Sequence, residues 1–161
     1  MTEPADEGYV KIRMSDDTGE HVETLWAITV GPGRFRIDNI PWFAYRVSLG
    51  DIVEGAEYAP GMYDLTRVIE PSGNRAIRLI LGDGRGSDTD EGKRILDRLK
   101  ALGCDYEGAT HQFIGITIPP DVELQRVADY LVTTNLDWEY ANPKYDDLFG
   151  SGASSSDMHR R

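Results

Sequence analysis

Cysteine occurs once in 161 residues, at Cys104. No intramolecular disulfide can form, and no zinc site built on paired cysteines exists. That usage fits a reducing compartment. Histidine is nearly as scarce: His21, His111 and His159 lie in three distant segments. Without a neighbouring His or Cys none has metal-ligand spacing, so each is expected at the surface and no metal site is expected. Positive charge is also in short supply. Residues 1–80 hold 13 acids and 8 bases, residues 81–161 hold 15 and 9, and the net charge is -11. A nucleic-acid surface needs several phosphate-neutralising Lys or Arg on one face, so nucleic acid is not the expected partner. Electrostatics favour a basic protein instead. No apolar run approaches the roughly 20 residues that span a bilayer. Met1–Glu7 is acidic and has no apolar core, unlike a signal or transit peptide. No membrane association is expected, and the expected location is cytoplasmic.

What is present is ordinary for a folded globule: 40% apolar and 28% charged residues. A chain this long can bury a real core as one domain or two small subdomains. Residues 1–7 read as a disordered tail. From Tyr9 to Met14, Val10, Ile12 and Met14 alternate with Lys11 and Arg13, the period of a half-buried strand. Val22 to Val30 forms a second strand, stopped by Gly31-Pro32-Gly33, and Arg34 to Asp38 returns as a hairpin partner. Asn39 to Tyr45 is apolar without clean periodicity and reads as a crossing loop. A turn at Gly50-Asp51 leads into a fourth strand ending at Glu54, and Met62 to Glu70 forms a fifth. Five short strands at this spacing predict a small, bent, antiparallel barrel-like half over residues 8–75.

The second half changes character. Ala76 to Leu81 is a strand. Gly82 to Ser87 reads as a flexible loop. A helix capped by Asp88 or Thr89 follows, with Ile95, Leu96, Leu99 and Leu102 on one face. Gly103 suits its left-handed end. Cys104 to Gly108 and Phe113 to Ile118 are strands. Asp121 is the expected cap of a second helix with Leu124, Val127, Ala128 and Leu131 inward, and Asp137 to Tyr140 closes the set. The β-α-β-β-α-β order over residues 76–142 is the split βαβ, ferredoxin-like pattern, making the fold class α+β. Residues 143–161 read as a flexible tail, rich in Gly and Ser.

Sites fail on spacing or charge. In Gly82-Asp83-Gly84-Arg85-Gly86-Ser87 the glycines are too close for a dinucleotide fingerprint, and Gly92-Lys93 is followed by Arg94, not Ser or Thr, as a P-loop would need. Asp83, Asp88, Asp90 and Glu91 would repel a phosphate. Asp88-Thr89-Asp90-Glu91-Gly92 has Arg98 where a calcium loop wants Glu. Cys104 sits at a helix C-terminus, the wrong pole for a thiolate. No Gly-x-Ser-x-Gly elbow exists. A carboxylate pair such as Asp38 and Asp51 could meet in space, and sequence does not separate a dyad from two solvated acids. The aromatics Trp42, Phe43 and Tyr45 suit either a core or a binding rim. Arg13, Arg34, Arg36, Arg67 and Arg78 fall mostly on polar strand faces, where pairing with acids is expected.

Three stretches carry a resemblance: Leu25-Trp26-Ala27, Arg36-Ile37-Asp38-Asn39-Ile40-Pro41-Trp42-Phe43-Ala44 and Val47-Ser48-Leu49-Gly50-Asp51-Ile52-Val53. With Arg67 to Gly73 and Leu102-Gly103-Cys104, the chain over about residues 9–141 resembles an uncharacterised bacterial domain-of-unknown-function family of small soluble proteins. Its signatures are Leu-Trp-Ala, Asp-Asn-Ile-Pro-Phe-Phe and Leu-Gly-Asp. The sequence departs at Trp42, where Phe is usual, and at Asn74, where His is usual; the second departure weakens a catalytic role. The resemblance implies bacterial origin and a two-part layout, and brings no activity.

The expectation is therefore a non-catalytic protein-binding module, an inhibitor or immunity-type protein for a basic partner being one form, with no cofactor. The candidate binding residues are Trp26, Asp38, Asn39, Trp42, Phe43, Tyr45, Asp51, Arg67 and Asn74; no catalytic residue is assigned. A small-molecule sensor, or an enzyme with a carboxylate and arginine cleft, are the alternatives.

Overall fold

The computed structural model describes residues 8–150. The expected tail at 1–7, and the part of the expected 143–161 tail beyond residue 150, lie outside the described residues. The chain divides into two compact units after Gly73.

The first unit holds strands β1 (Tyr9–Ser15), β2 (Val22–Gly31), β3 (Arg34–Ile37), β4 (Ile52–Ala59) and β5 (Met62–Glu70). Alternation sends Ile12, Met14, Leu25, Ala27, Phe35, Ile37 and Val53 into one core. Neighbouring strands pair antiparallel in chain order. The ring, however, closes through a parallel ladder of β1 on β5, Lys11–Arg13 against Met62–Asp64. Register shifts interrupt β2 with β3 once and β4 with β5 three times. The expectation of an antiparallel barrel is thus corrected: the five-stranded sheet is irregular and one ladder is parallel. Closure needs that reversal because the first and last strands of a five-strand meander run the same way. Gly55 leaves no room for a side chain. A Cβ there would fall 2.9 Å from Tyr63 Cβ and 3.2 Å from the Phe35 ring, whose centroid is 4.4 Å from that of Tyr63.

The second unit contains β6 (Arg75–Ile80), α1 (Asp90–Ala101), β7 (Asp105–Gly108), β8 (Phe113–Ile118), α2 (Leu124–Thr134), β9 (Asp137–Asn142) and α3 (Tyr145–Phe149). Its antiparallel sheet runs β7-β8-β6-β9. Ile77, Leu79, Ile114, Ile116 and Ile118 meet Ile95, Leu96, Leu99, Val127, Ala128 and Leu131 of the helices in one core.

Several local expectations change. The fourth strand runs on to Ala59, and the Cys104 strand begins at Asp105. Thr89, not Asp88, caps α1: its Oγ1 accepts from Gly92 N at 3.0 Å. Asp121 caps nothing. Pro119 O accepts from Val122 N in a preceding turn, so α2 starts at Leu124 with Glu123 at its cap position and no side-chain cap bond. The segment after residue 142 is not all tail. Tyr145 is buried, and its ring packs at a tilt against Phe149 and Tyr140, with centroids 4.7 and 6.3 Å away, which anchors α3.

The Gly82–Ser87 loop leaves Asp83 and Gly84 exposed but is held down at its Arg85–Ser87 end. Gly86 is buried and its carbonyl accepts from Thr89 N and Thr89 Oγ1, while Ser87 N donates to His111 O. Arg85 pairs with Glu91 at 2.9 Å and donates to Thr134 O. A Cβ at Gly92 would fall 2.0 Å from Gly86 O. The loop therefore lies directly on the first turn of α1, where a phosphate would otherwise have to sit.

Candidate functional site

Between β3 and β4 the first unit makes a long excursion, residues 38–51, that contains most of the sequence-derived candidates. Two buried carboxylates and one amide hold it. Glu23, on the inward face of β2 with Leu25 and Ala27, is 8% exposed. Its Oε1 accepts from Trp42 N at 2.7 Å, and its Oε2 from Phe43 N at 2.6 Å and Ala44 N at 2.8 Å. Three successive backbone N–H groups thus converge on one carboxylate. Charge-assisted bonds of this kind are about twice as strong as neutral ones, and they offset the cost of placing the charge in the core.

Asp51 holds the far end and is 1% exposed. Its Oδ2 accepts from Ser48 N at 2.9 Å, and its Oδ1 from Ser72 N at 2.8 Å. Ser72 Oγ donates to Leu49 O at 2.8 Å, so the loop is also tied to the segment after β5. Gly50, with φ +85°, makes the turn that brings Asp51 back onto Ser48. Asn39 takes the near end: its Oδ1 accepts from Trp26 N at 2.9 Å, while Asp38 N donates to Trp26 O.

At the tip, Arg46 adopts φ +63°, a left-handed conformation unusual outside glycine. Its guanidinium stands 3.8 Å from Asp17. Phe43 stacks on the exposed His21 ring with centroids 5.1 Å apart, and His21 Nδ1 is 2.8 Å from Asp16 Oδ2. Asp16 is held far below the usual carboxylate range, chiefly by its hydrogen bonds from Thr18 and His21. Trp42, Phe43 and Tyr45 are each half-buried.

The structure therefore groups Trp26, Asn39, Trp42, Phe43, Tyr45 and Asp51 on or around one braced loop. Asp38 opens the same loop, whereas Arg67 is committed to another strand. Asp38 is exposed, and the Asp51 oxygens both accept backbone N–H groups, so the two acids form no dyad. Arg67 is exposed on β5 and forked onto Glu54 of β4 at 2.7 and 3.0 Å. That contact holds the Glu54 carboxyl below its usual range. Asn74 belongs to the second unit. Glu23 is the participant that sequence reasoning missed. The available signal was an acid at an inward-facing position of an alternating strand, where a charge is rarely buried without partners.

Chemically, the bracing acids Glu23 and Asp51 act as acceptors of backbone hydrogen bonds. Arg13 is similarly committed: it forks onto Asp64 at 2.6 and 2.9 Å and lies 3.9 Å above the Tyr58 ring. Cys104 is buried, and desolvation pushes its thiol up to about 11, away from a reactive thiolate. Among the described residues no group of three or more His, Cys, Asp or Glu is placed to hold a metal ion. No helix among them is long and apolar enough to cross a membrane.

A family model, the Domain of unknown function DUF4265, matches residues 23–140, from the bracing Glu23 to Tyr140 in the second core. The chain belongs to the DUF4265 family. The match includes the whole braced loop, so in this DUF4265 protein the loop is part of the domain and no appendage to it. The chain matches none of the curated proteins. It is similar to a solved structure described as "Novel crystal structure of a hypothetical protein from Neisseria gonorrhoeae", over 89% of this chain and 99% of that one, with a TM-score of 0.71 and 19% identity. At that identity the likeness shows the fold alone: mostly sheet, with a few helices.

Proposed function

We propose that this DUF4265 protein is a non-catalytic protein-binding module whose contact element is the braced aromatic loop, residues 38–51. The observation that carries this is the convergence of Trp42, Phe43 and Ala44 N–H groups on Glu23. Fixing a loop before binding removes an ordering cost that a partner would otherwise have to offset. Aromatic side chains supply much of the energy at interfaces. A non-glycine residue held at positive φ, as Arg46 is, belongs to the kind of strained position that clusters at functional segments. The acids that could have served a reaction, Glu23 and Asp51, already bind backbone, which favours recognition over chemistry.

A basic partner is favoured by the net charge of -11. An inhibitor or immunity-type role is one form this takes. The second unit is read as a ferredoxin-like module; its support is the β6-α1-β7-β8-α2-β9 order and the β7-β8-β6-β9 sheet. A cytoplasmic setting is supported by the free, buried Cys104.

The test is capture from a native-host lysate at low ionic strength, with wild-type protein and a Trp42→Ala/Tyr45→Ala double variant side by side. A stoichiometric basic protein, retained by wild type, released by added salt and lost with the variant, is the expected result. Equal retention by the variant, its fold checked by circular dichroism, would remove the loop from the function. No stoichiometric partner at low salt would remove the binding role.

A further inference from the structure

Charge is segregated in the first unit. Strands β1, β2 and β3 carry Lys11, Arg13, Arg34 and Arg36 against a single acid, Glu23, in a chain with 28 acids and 17 bases. Glu23 is buried and binds the loop. Ile12, Met14, Phe35 and Ile37 belong to the core, so alternation puts all four bases on the outer face. Register sets them around an apolar strip. Ile28 lies between Tyr9 on β1 and Arg36 on β3, and Trp26 lies opposite Lys11. On its other side Arg36 faces Ile52 of β4, not an acid.

Two of the strand arginines do not meet the expected pairing with acids. Arg13 has Asp64, and Arg67 has Glu54. Arg34 lies opposite Glu54, but the Arg67 fork already takes both of its oxygens. Arg34 and Arg36 are exposed, and among the described residues neither guanidinium forms a hydrogen bond, ion pair or ring contact. As consecutive outward positions of one strand they stand about 7 Å apart. An extended chain with carboxylates at alternate positions repeats at that same spacing. The net charge of -11 acts at long range, but salt screens it beyond about 8 Å, and at contact the local sign decides. Nucleic acid fits the face less well. Single strands are held by bases stacked on open aromatic faces. Here the half-buried Trp26 ring has the Lys11 ammonium over it at 4.9 Å and Tyr9 at right angles at 6.3 Å.

We propose that the outer face of β1, β2 and β3 docks an extended acidic segment of a partner protein, with carboxylates at alternate positions. Two such carboxylates face Arg34 and Arg36, whose planar guanidinium forks match carboxylate geometry. An apolar side chain of the segment covers Ile28 and Tyr9, and Lys11, diagonal to Ile28, adds positive charge on the far side of the strip. The proposal rests on the strand cations and stands independently of the aromatic loop.

The experiment is an amide and arginine-Nε NMR titration of the full-length labelled protein with the peptide acetyl-Glu-Val-Glu-Val-Glu-amide. Acetyl-Lys-Val-Lys-Val-Lys-amide and an oligothymidylate serve as controls for charge sign and for partner class. The expected result is saturable shifts at Arg34 and Arg36 Nε and at the Lys11 and Ile28 amides, with affinity falling as salt is added. Arg34→Gln/Arg36→Gln should weaken binding roughly tenfold, about 1.4 kcal/mol. The same change of charge in Lys93→Gln/Arg94→Gln, on α1, should leave it unaltered. All four side chains are exposed, so both variants should keep the wild-type spectrum elsewhere. No saturable shift with the acidic peptide at millimolar concentration overturns the proposal. So does equal weakening in the two variants, or a lysine peptide that binds the same residues as tightly. Tighter binding of the oligothymidylate assigns the face to nucleic acid, and shifts at these residues on concentrating the protein alone assign it to a second copy; either result overturns the proposal.

Discussion

Glu23 Oε2 accepts the backbone N–H of Phe43 at 2.6 Å across 20 residues of sequence. The contact joins the core of β2 to the aromatic loop, with the N–H groups of Trp42 and Ala44 on the same carboxylate. A side chain that bonds three consecutive amides fixes the path of the chain there, and several consequences can be measured.

Glu23→Ala should unfold the loop or destabilise the whole unit. Each buried N–H left without an acceptor costs about 1–3 kcal/mol, so a loss of at least about 3 kcal/mol is expected in urea denaturation. Glu23→Gln keeps the shape but turns one acceptor oxygen into a donor, and should fall between. In both variants amide exchange at Trp42, Phe43 and Ala44 should accelerate before exchange elsewhere. Unchanged exchange at these three positions would show that Glu23 does not hold the loop.

Asp51→Asn should cost about 1–3 kcal/mol. Asparagine presents one oxygen where Asp51 uses two, so either Ser48 N or Ser72 N faces an NH2 group. The loss should be larger than for Asp38→Asn, because Asp38 is exposed. Equal urea midpoints for the two variants would contradict the assignment.

Acidification should weaken the first unit through its strand-crossing ion pairs. Arg13 holds the Asp64 carboxyl below its usual range, and Arg67 does the same to Glu54. A carboxyl whose pKa is depressed in the fold contributes stability above its unfolded pKa, near 4, and loses it as pH falls through the folded value. The urea midpoint should therefore drop below about pH 5, and less steeply in an Asp64→Asn/Glu54→Gln variant. Both pairs are solvent-exposed, so the difference should be small and should shrink in salt. A double variant with the wild-type pH profile would show that these pairs do not contribute.

Cys104 should be silent toward thiol reagents in the native state. Burial is the main cause of its raised thiol pKa, Asp105 adds to it and Arg75 opposes it. Labelling at neutral pH should follow unfolding and accelerate with urea. Because the folded pKa lies above the unfolded value near 8.5, this group's contribution is fully present below that value. It is lost as pH rises toward 11. Rapid labelling of the folded protein would place the thiol at the surface.

Gly92→Ala inverts a familiar expectation. In an exposed helix interior Ala is favoured over Gly by about 1 kcal/mol. Here the new Cβ would meet Gly86 O and Arg85 O at 2.0 and 2.6 Å. The backbone must shift, and a net destabilisation of about 1–3 kcal/mol is expected in urea denaturation. A stabilised G92A protein would mean that the glycine loop does not rest on α1.

Periodicity alone determined much of this protein. Alternation in Tyr9–Met14 and Phe113–Ile118, and the Ile95, Leu96, Leu99 stripe, are local signals because side-chain direction follows directly from the backbone repeat. The glycine loop's spacing and charge excluded a phosphate cradle before any coordinate, although not the reason: the loop packs on α1. Only the tertiary structure decided that β5 meets β1 at all, because strand pairing across about 50 residues leaves no local trace. The same holds for the site. Trp42, Phe43 and Tyr45 mark the loop in the sequence, but Glu23 lies 19 residues before Trp42, and nothing nearby announces that its oxygens reach those amides. Arg67 is expected from the sequence to pair with an acid, but only its register opposite Glu54 shows which one. Local pattern fixes which way a side chain points; what it meets depends on segments far away in sequence, and that is set only when the whole chain has packed.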